Sequence, residues 1–160
     1  MEQETIAEIL ERNGKNRSGI IAILQDVQAV YNYLPEDSLR YISEKMEIPL
    51  IDLFGIASFY NSFSLTPRGK HLVQVCLGTA CHVRGAHRVL EKVEKKLDIV
   101  AGETTDDRLF TLKTVNCLGA CALGPIVVVD ETYHGNTRPQ KVNAILDQYS
   151  NHNGAKEKAE

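Results

Sequence analysis

The sequence predicts an α+β protein whose first part is a bundle of helices and whose second part combines helices with a sheet. Two observations predict this architecture. Apolar residues recur every three or four positions over roughly the first sixty residues, which is the period of a helix with one buried face. After residue 70 the order becomes strand, helix, strand. We expect a helical domain over residues 1–66, an α/β domain with a four-stranded mixed sheet over residues 67–150, and a flexible tail over residues 151–160.

Four helices are predicted in the first part. The first shows capping-box spacing between Thr5 and Glu8. The second covers residues 20–34, where the apolar positions form one buried face. Pro35 and Pro49 are each followed by an apolar helical pattern, so both are interpreted as first-turn prolines that open the third and fourth helices.

The change between the two parts is placed at "SFSLTPRGK", where Pro67 and Gly69 interrupt the helical pattern. The wholly apolar stretch "IVVVD" predicts a strand buried on both faces. The elements predicted after Lys70 are, in order, a strand at "HLVQVCL", a helix over residues 83–97, strands at "RLFTLKTVN" and "IVVVD", a short fourth strand, and a last helix with capping-box spacing between Thr137 and Gln140.

Composition excludes several classes of protein. The chain has 160 residues, 43% hydrophobic and 24% charged, with a net charge of −3, so nucleic acid is not expected as a partner. No apolar run approaches the roughly 18 residues that cross a bilayer, so direct membrane insertion is not expected. The beginning "MEQETIAEIL" lacks the basic region of a signal peptide, which favours the cytoplasm. In a reducing compartment, cysteine pairs are more often metal ligands or redox groups than structural disulfides.

All four cysteines lie in two tight pairs, Cys76 with Cys81 and Cys117 with Cys121. Each pair follows a predicted strand, and a strand–helix–strand crossover makes the two strands parallel. Parallel strands end at the same edge of a sheet, where open α/β sheets tend to place ligands. We therefore expect the two pairs to converge at one edge.

Three kinds of chemistry remain open for the four thiols. A zinc site is one, although structural zinc sites usually contain Cys-x-x-Cys, which is absent here. Disulfides or free thiols are the second. A [2Fe-2S] cluster, which takes two thiolates per iron, is the interpretation that the spacing favours, and the helix after Cys81 is expected to aim its N-terminus at it. The small loop residues expected to let the backbone approach the sulfurs are Gly78, Thr79, Ala80, Gly119 and Ala120.

Three stretches, "CLGTAC", "CLGAC" and "GIASFYNSF", resemble the thioredoxin-like [2Fe-2S] subunit of NADH dehydrogenases, over about residues 3–150. The same family includes small subunits of NAD(P)-linked and electron-bifurcating hydrogenases and of NAD-dependent formate dehydrogenases. The resemblance implies a thioredoxin-like fold for the second domain. It also implies that the cluster ligands are Cys76, Cys81, Cys117 and Cys121, with one pair on each iron.

The resemblance further implies an electron-transfer subunit without catalysis of its own. FMN and NAD(H) would lie on a partner flavoprotein subunit, and a larger iron–sulfur subunit would be a second partner. "CLGTACHVRGA" is more similar to the hydrogenase-type branch; a respiratory NADH:quinone oxidoreductase or a formate dehydrogenase is the alternative. From another class of function, the helical part suggests a docking module with a structural zinc.

Two further groups of residues have both a functional and an ordinary interpretation. Phe54, Phe59, Tyr60 and Phe63 form either a docking patch or part of a core. The basic residues of the predicted helix 83–97 either steer an acidic partner or form a solvated face; they are Arg84, Arg88, Lys92 and Lys95.

Overall fold

The computed structural model describes residues 2–14 and 16–151. Its described residues form seven α-helices and a four-stranded mixed sheet, which confirms the predicted α+β class. The chain divides into two compact units between Arg68 and Gly69. The predicted tail, residues 151–160, lies outside the described residues except for Asn151, with which the last helix ends.

The first unit consists of four α-helices and a short 3₁₀ turn at Arg17–Gly19. The helices are α1 (Glu2–Arg12), α2 (Ile20–Tyr31), α3 (Glu36–Met46) and α4 (Leu50–Phe59). Their apolar faces form one core, in which Ile23, Leu24 and Val27 of α2 are completely buried. The helical period of the sequence therefore predicted these four helices, but α2 ends at Tyr31 and not at residue 34, because Asn32 adopts a left-handed conformation with a φ of 67°.

Three predicted helix starts in this unit are wrong in detail. Thr5 lies inside α1 and does not cap it, because the helix already begins at Glu2. Pro35 and Pro49 each stand one residue before their helix, with extended ψ values of 142° and 133°. A proline fixes its own φ but not its ψ, so the sequence locates such a helix start only to within one residue.

A polar contact joins the end of α1 to α2. Arg12 Nη2 donates to Asp26 Oδ2 over 2.7 Å, and Asn13 Nδ2 donates to the same oxygen over 2.8 Å. The hydrogen bond from Asn13, and then the one from Arg12, hold the pKa of the Asp26 carboxyl below its usual value of 3.8. Both hydrogen bonds are stronger to the ionised carboxylate than to the neutral carboxyl group.

This contact makes a pH-dependent contribution to stability. Because the pKa of Asp26 is lower in the folded state, its contribution is present above the unfolded pKa and is lost as pH falls through the folded one. We expect Asp26→Asn to lower the unfolding free energy at pH 7 by less than about 1 kcal/mol, since solvent screens an exposed pair. Denaturant titrations at pH 7 and pH 3 would check this: the difference from wild type should shrink at pH 3, and an equal difference at both values would contradict it.

The second unit is built on a sheet with strand order β2-β1-β3-β4. The strands are β1 (His71–Cys76), β2 (Phe110–Val115), β3 (Val127–Val129) and β4 (Thr132–His134). β1 pairs with β2 in parallel, whereas β3 is antiparallel to both β1 and β4. The parallel pair is the one predicted from the crossover.

The central strands are buried on both faces. Helices α6 (Ala86–Leu97) and α7 (Pro139–Asn151) pack with Val127 and Val129 of β3, whereas Val128 belongs to a second cluster with Cys76. This alternation follows from the pleat of a strand, which points successive side chains to opposite faces. The prediction that "IVVVD" is buried on both faces is therefore confirmed.

Two predicted helix limits in this unit are wrong. The region predicted as one helix over residues 83–97 contains the end of a short helix, α5 (Thr79–Val83), and then α6. Gly85, with φ of 92°, separates them because this left-handed conformation cannot continue a helix. At the last helix, Thr137 does not cap α7; its Oγ1 donates to the carbonyl oxygen of His134 over 2.7 Å. Among the described residues, every helix is too short or too polar to cross a bilayer.

Candidate metal centre

The two cysteine pairs lie at the same edge of the sheet. Cys76 is the last residue of β1, and its partner in the parallel ladder is Val115, the last residue of β2. Cys117 follows two residues later. Cys81 lies in α5, and Cys121 begins a 3₁₀ turn that ends at Leu123. The loops therefore converge as the crossover topology predicts.

The four thiols differ in their exposure to solvent. Cys76 and Cys81 are 3% and 1% exposed, and they belong to a small apolar cluster with Val128. Cys117 and Cys121 are exposed, and all four cysteines are free thiols. The centre consequently has a buried side, formed by the first pair, and an open rim, formed by the second.

The thiol of Cys81 interacts with Cys76 of its own pair and with Cys121 of the second pair. Burial raises its pKa above the usual value, and a hydrogen bond with the Cys76 thiol and the charge of Cys121 raise it further. A hydrogen bond with the backbone at Ile126 acts in the opposite direction. The raised pKa favours the neutral thiol of Cys81, and a metal ion bound there would release its proton.

Glycines allow the backbone to approach the thiols closely. A Cβ on Gly124 would lie 3.1 Å from Cys81 Sγ, and a Cβ on Gly78 would lie 3.6 Å from Cys76 Sγ. The backbone N–H of Gly119 donates to Cys117 Sγ over 3.3 Å. Side chains at the first two positions would fill the space beside the sulfurs, so the loops have the form of a cradle around them.

The donor set of the centre, four thiols in two pairs, suits a binuclear cluster. A structural zinc needs four ligands around one point, whereas a [2Fe-2S] cluster needs only two thiolates at each iron. Two pairs of thiols on two converging loops match the second requirement.

The other predicted loop residues occupy different positions. Thr79 is exposed at the start of α5, and Ala80 is half-buried after it. Ala120 packs against the buried cluster that contains Cys76 and Cys81. The helix expected after Cys81 begins later than predicted, because Cys81 lies within α5 and α6 begins only at Ala86.

Arg84 contributes to the structure of the metal centre, whereas the sequence predicted it on a basic helix face. It lies in the break between α5 and α6, and its Nη1 reaches the second ligand loop. There it donates to the carbonyl oxygens of Cys121 and Ala122 over 2.9 and 3.1 Å, and a third carbonyl, of Gly124, lies at 3.4 Å. The guanidinium thus fixes the first loop to the second. No sequence signal pairs this loop with Arg84.

Removal of this guanidinium should loosen the second loop. We expect Arg84→Ala to lower the unfolding free energy by about 1 kcal/mol, because charge-assisted hydrogen bonds are worth more than neutral ones but this one is solvent-exposed. Thermal unfolding of the purified protein measures the effect, with Arg88→Ala as the matched control on an exposed arginine without such contacts. Equal unfolding temperatures for the two variants would contradict the role.

Comparison with known proteins gives three kinds of similarity. The family model for thioredoxin-like [2Fe-2S] ferredoxin matches residues 6–150. The chain is 37% identical to the NADP-reducing hydrogenase subunit HndA of Solidesulfovibrio fructosivorans, over 90% of this chain and 84% of that protein. It is 36% identical to a subunit of the NADH-quinone oxidoreductase of Rickettsia typhi, over 92% and 87% of the two chains.

A crystal structure of an NAD⁺-reducing [NiFe]-hydrogenase in the air-oxidised state superposes on 84% of this chain with a TM-score of 0.72. At 18% identity, this similarity shows a shared fold. The present chain spans 23% of the length of that hydrogenase chain.

Proposed function

The chain belongs to the thioredoxin-like [2Fe-2S] ferredoxin family, and we propose that it holds one [2Fe-2S] cluster on its four cysteines and carries single electrons. The observation that carries this proposal is the convergence of two cysteine pairs on adjacent parallel strand ends. In the proposed arrangement Cys76 and Cys81 hold one iron, and Cys117 and Cys121 hold the other. When bound, the cluster supplies one-electron reduction and oxidation.

The residues of this chain position and shield that group. The buried pair keeps water from one side, whereas the exposed pair leaves a rim at which a redox partner can approach. The Gly119 N–H stabilises negative charge on the sulfur of Cys117, and Arg84 holds the loop of Cys121. Small residues such as Gly78 and Gly124 keep the backbone close to the sulfurs.

The relatives indicate the kind of complex in which this electron transfer takes place. One is named a subunit of an NADP-reducing hydrogenase, and another a subunit of an NADH-quinone oxidoreductase. We propose that this chain exchanges electrons with the flavin of an NADH-binding flavoprotein subunit that carries FMN and NAD(H). A larger iron–sulfur subunit is the second partner, and the complex is cytoplasmic.

A soluble hydrogenase-type complex is the first candidate, and a respiratory or formate dehydrogenase complex is the second. Identities of 37% and 36% to the hydrogenase and quinone-reductase subunits do not separate them. Purification of the complex from its native host distinguishes the two candidates, because the co-purifying chains can be identified. A hydrogenase-type large subunit supports the first candidate, and a membrane-arm subunit supports the second.

We assign docking to the helical domain, residues 1–66. Phe54, Phe59 and Tyr60 are 49%, 80% and 41% exposed, whereas Phe63 is buried, so three of the four aromatic residues are available to a partner. Deletion of residues 1–60 should abolish binding to the flavoprotein and leave the visible spectrum unchanged. Loss of the spectrum would instead mean that the helices support the cluster.

The electron-transfer proposal has a direct spectroscopic test. The protein, purified without oxygen, should be reddish, contain about two irons and two acid-labile sulfides per chain, and show a paramagnetic signal after one-electron reduction. With the co-purified flavoprotein, NADH should bleach the visible absorption. A colourless protein with one zinc per chain would contradict the proposal and support the zinc-stabilised docking module.

A further inference from the structure

A pocket of about 430 Å³ lies in the second unit beside the second cysteine loop. Its walls include Gly124 and Pro125, which follow that loop, and three arginines. Arg84 comes from the break before α6, Arg88 from the first turn of α6, and Arg138 from the residue before α7. This volume is in the range of pockets that take a small ligand, and it admits an inserted side chain.

The pocket is positively charged and has no internal counter-charge. Of the residues that the structure describes, no carboxylate lines the pocket, and neither α6 nor α7 has an acidic residue in its first turn. Among residues 2–14 and 16–151, neither Arg88 nor Arg138 forms an ion pair. The positive ends of the two helix dipoles add to the charge of the guanidinium groups. Such a pocket favours an anionic group from outside.

The pocket shares a wall with the proposed cluster site. The Arg84 guanidinium that lines it also binds the carbonyl oxygens of Cys121 and Ala122. Gly124 faces both the pocket and Cys81, because a Cβ at that position would lie 3.1 Å from the Cys81 sulfur. A group bound in the pocket therefore lies next to the exposed rim formed by Cys117 and Cys121.

We propose that this arginine pocket, formed by Arg84, Arg88 and Arg138, receives a carboxylate side chain from an acidic surface of the flavoprotein partner. The inference rests on the proposed function, which requires a protein partner at this rim. The fork of an arginine matches a carboxylate with two parallel hydrogen bonds. Since the chain as a whole carries a net charge of −3, an acidic partner is repelled in general and attracted at this pocket, which gives the contact its orientation.

The test uses the full-length chain with its cluster and the purified flavoprotein subunit that co-purifies with it. Arg88→Glu and Arg138→Glu, singly and together, should weaken binding by about tenfold to hundredfold and flatten its dependence on salt. Arg108→Glu is the matched control. It makes the same charge change at another exposed arginine, which precedes β2 and so lies at the end of the sheet opposite the cysteine loops. This variant should bind the flavoprotein within about twofold of wild type.

The remaining outcomes distinguish a failure of the pocket inference from a failure of the proposed function. If wild type does not bind the flavoprotein, the proposed function fails, and the inference fails with it. If the glutamate variants bind like wild type with the same salt dependence, the inference is overturned and the proposed function stands. Titration calorimetry with inorganic phosphate is a further test. If phosphate binding is lost in the variants while flavoprotein binding is unchanged, the pocket is a small-anion site and the proposal is overturned.

Misfolding is controlled by a second pair of variants. Arg88→Gln and Arg138→Gln remove the charge without reversing it and should weaken binding by a smaller factor than the glutamate changes. Visible spectra and unfolding temperatures equal to those of wild type are required for every variant that is compared. A glutamine pair that folds normally and binds as tightly as wild type, at low and high salt, would also overturn the proposal.

Discussion

A protein in which Cys76 is replaced by alanine is expected to purify without colour and to lose most of its iron and acid-labile sulfide. The thiol lies at the end of β1 and is 3% exposed, so water cannot readily replace it as a ligand. Without this thiol a [2Fe-2S] cluster keeps three of its four thiolate ligands and loses one on the buried side, so the site opens. Iron and sulfide assays with the visible spectrum measure this loss.

A packing control accompanies this variant, because Cys76 is also part of a small apolar core. Val128 belongs to the same cluster and carries no ligand atom. Val128→Ala should lower the unfolding free energy by about 2 kcal/mol and keep its iron and sulfide. If the alanine variant of Cys76 retained a full cluster, or Val128→Ala lost it equally, then Cys76 would have only a packing role.

Gly78→Ala is expected to have the next largest effect. A Cβ at this position would lie 2.4 Å from the backbone oxygen of Asn116, against a usual C···O separation of about 3.3 Å. The two loops would have to part by roughly 1 Å, and no flexible side chain is available to absorb the shift. Gly78 has a φ of −56°, so backbone strain does not contribute. We expect a loss of about 1–3 kcal/mol in unfolding free energy and faster loss of cluster absorbance in air.

The matched control for this change is Gly119→Ala. Gly119 lies in the other ligand loop, and a Cβ there meets no atom within 4 Å, but its φ is 77°. The substitution should cost about 1 kcal/mol through the left-handed conformation alone. Cluster loss in air, followed by visible absorbance, should therefore be fastest for Gly78→Ala. The reverse order would show that conformational freedom, and not the close approach of the loops, matters at this edge.

Much of the fold followed from periodicity. The three- to four-residue period predicted the helices of the first unit, and "IVVVD" predicted a strand buried on both faces. Capping patterns were less informative. Thr5 and Thr137 both have the right spacing to an acidic or amide residue, yet neither caps its helix. Hydrophobic periodicity reflects burial over many residues, whereas a capping motif depends on a single local choice that tertiary packing overrides.

The sequence by itself determined that the two cysteine pairs come together. The crossover makes β1 and β2 parallel, and parallel strands end at one edge, so convergence depends only on chain direction. The thiol content and the spacing within each pair were likewise present in the sequence. The assignment of all four thiols as ligands stays a prediction until the metal content is measured.

Only the tertiary structure decided which groups surround the sulfurs. It placed Arg84 on the second ligand loop, brought Gly124 against Cys81, and gathered Arg88 and Arg138 at one pocket. The physical reason is that these contacts join loops and helix ends distant in the chain. Their geometry is set within about an ångström by how the helices pack on the sheet, and no local pattern of residue types encodes such distances.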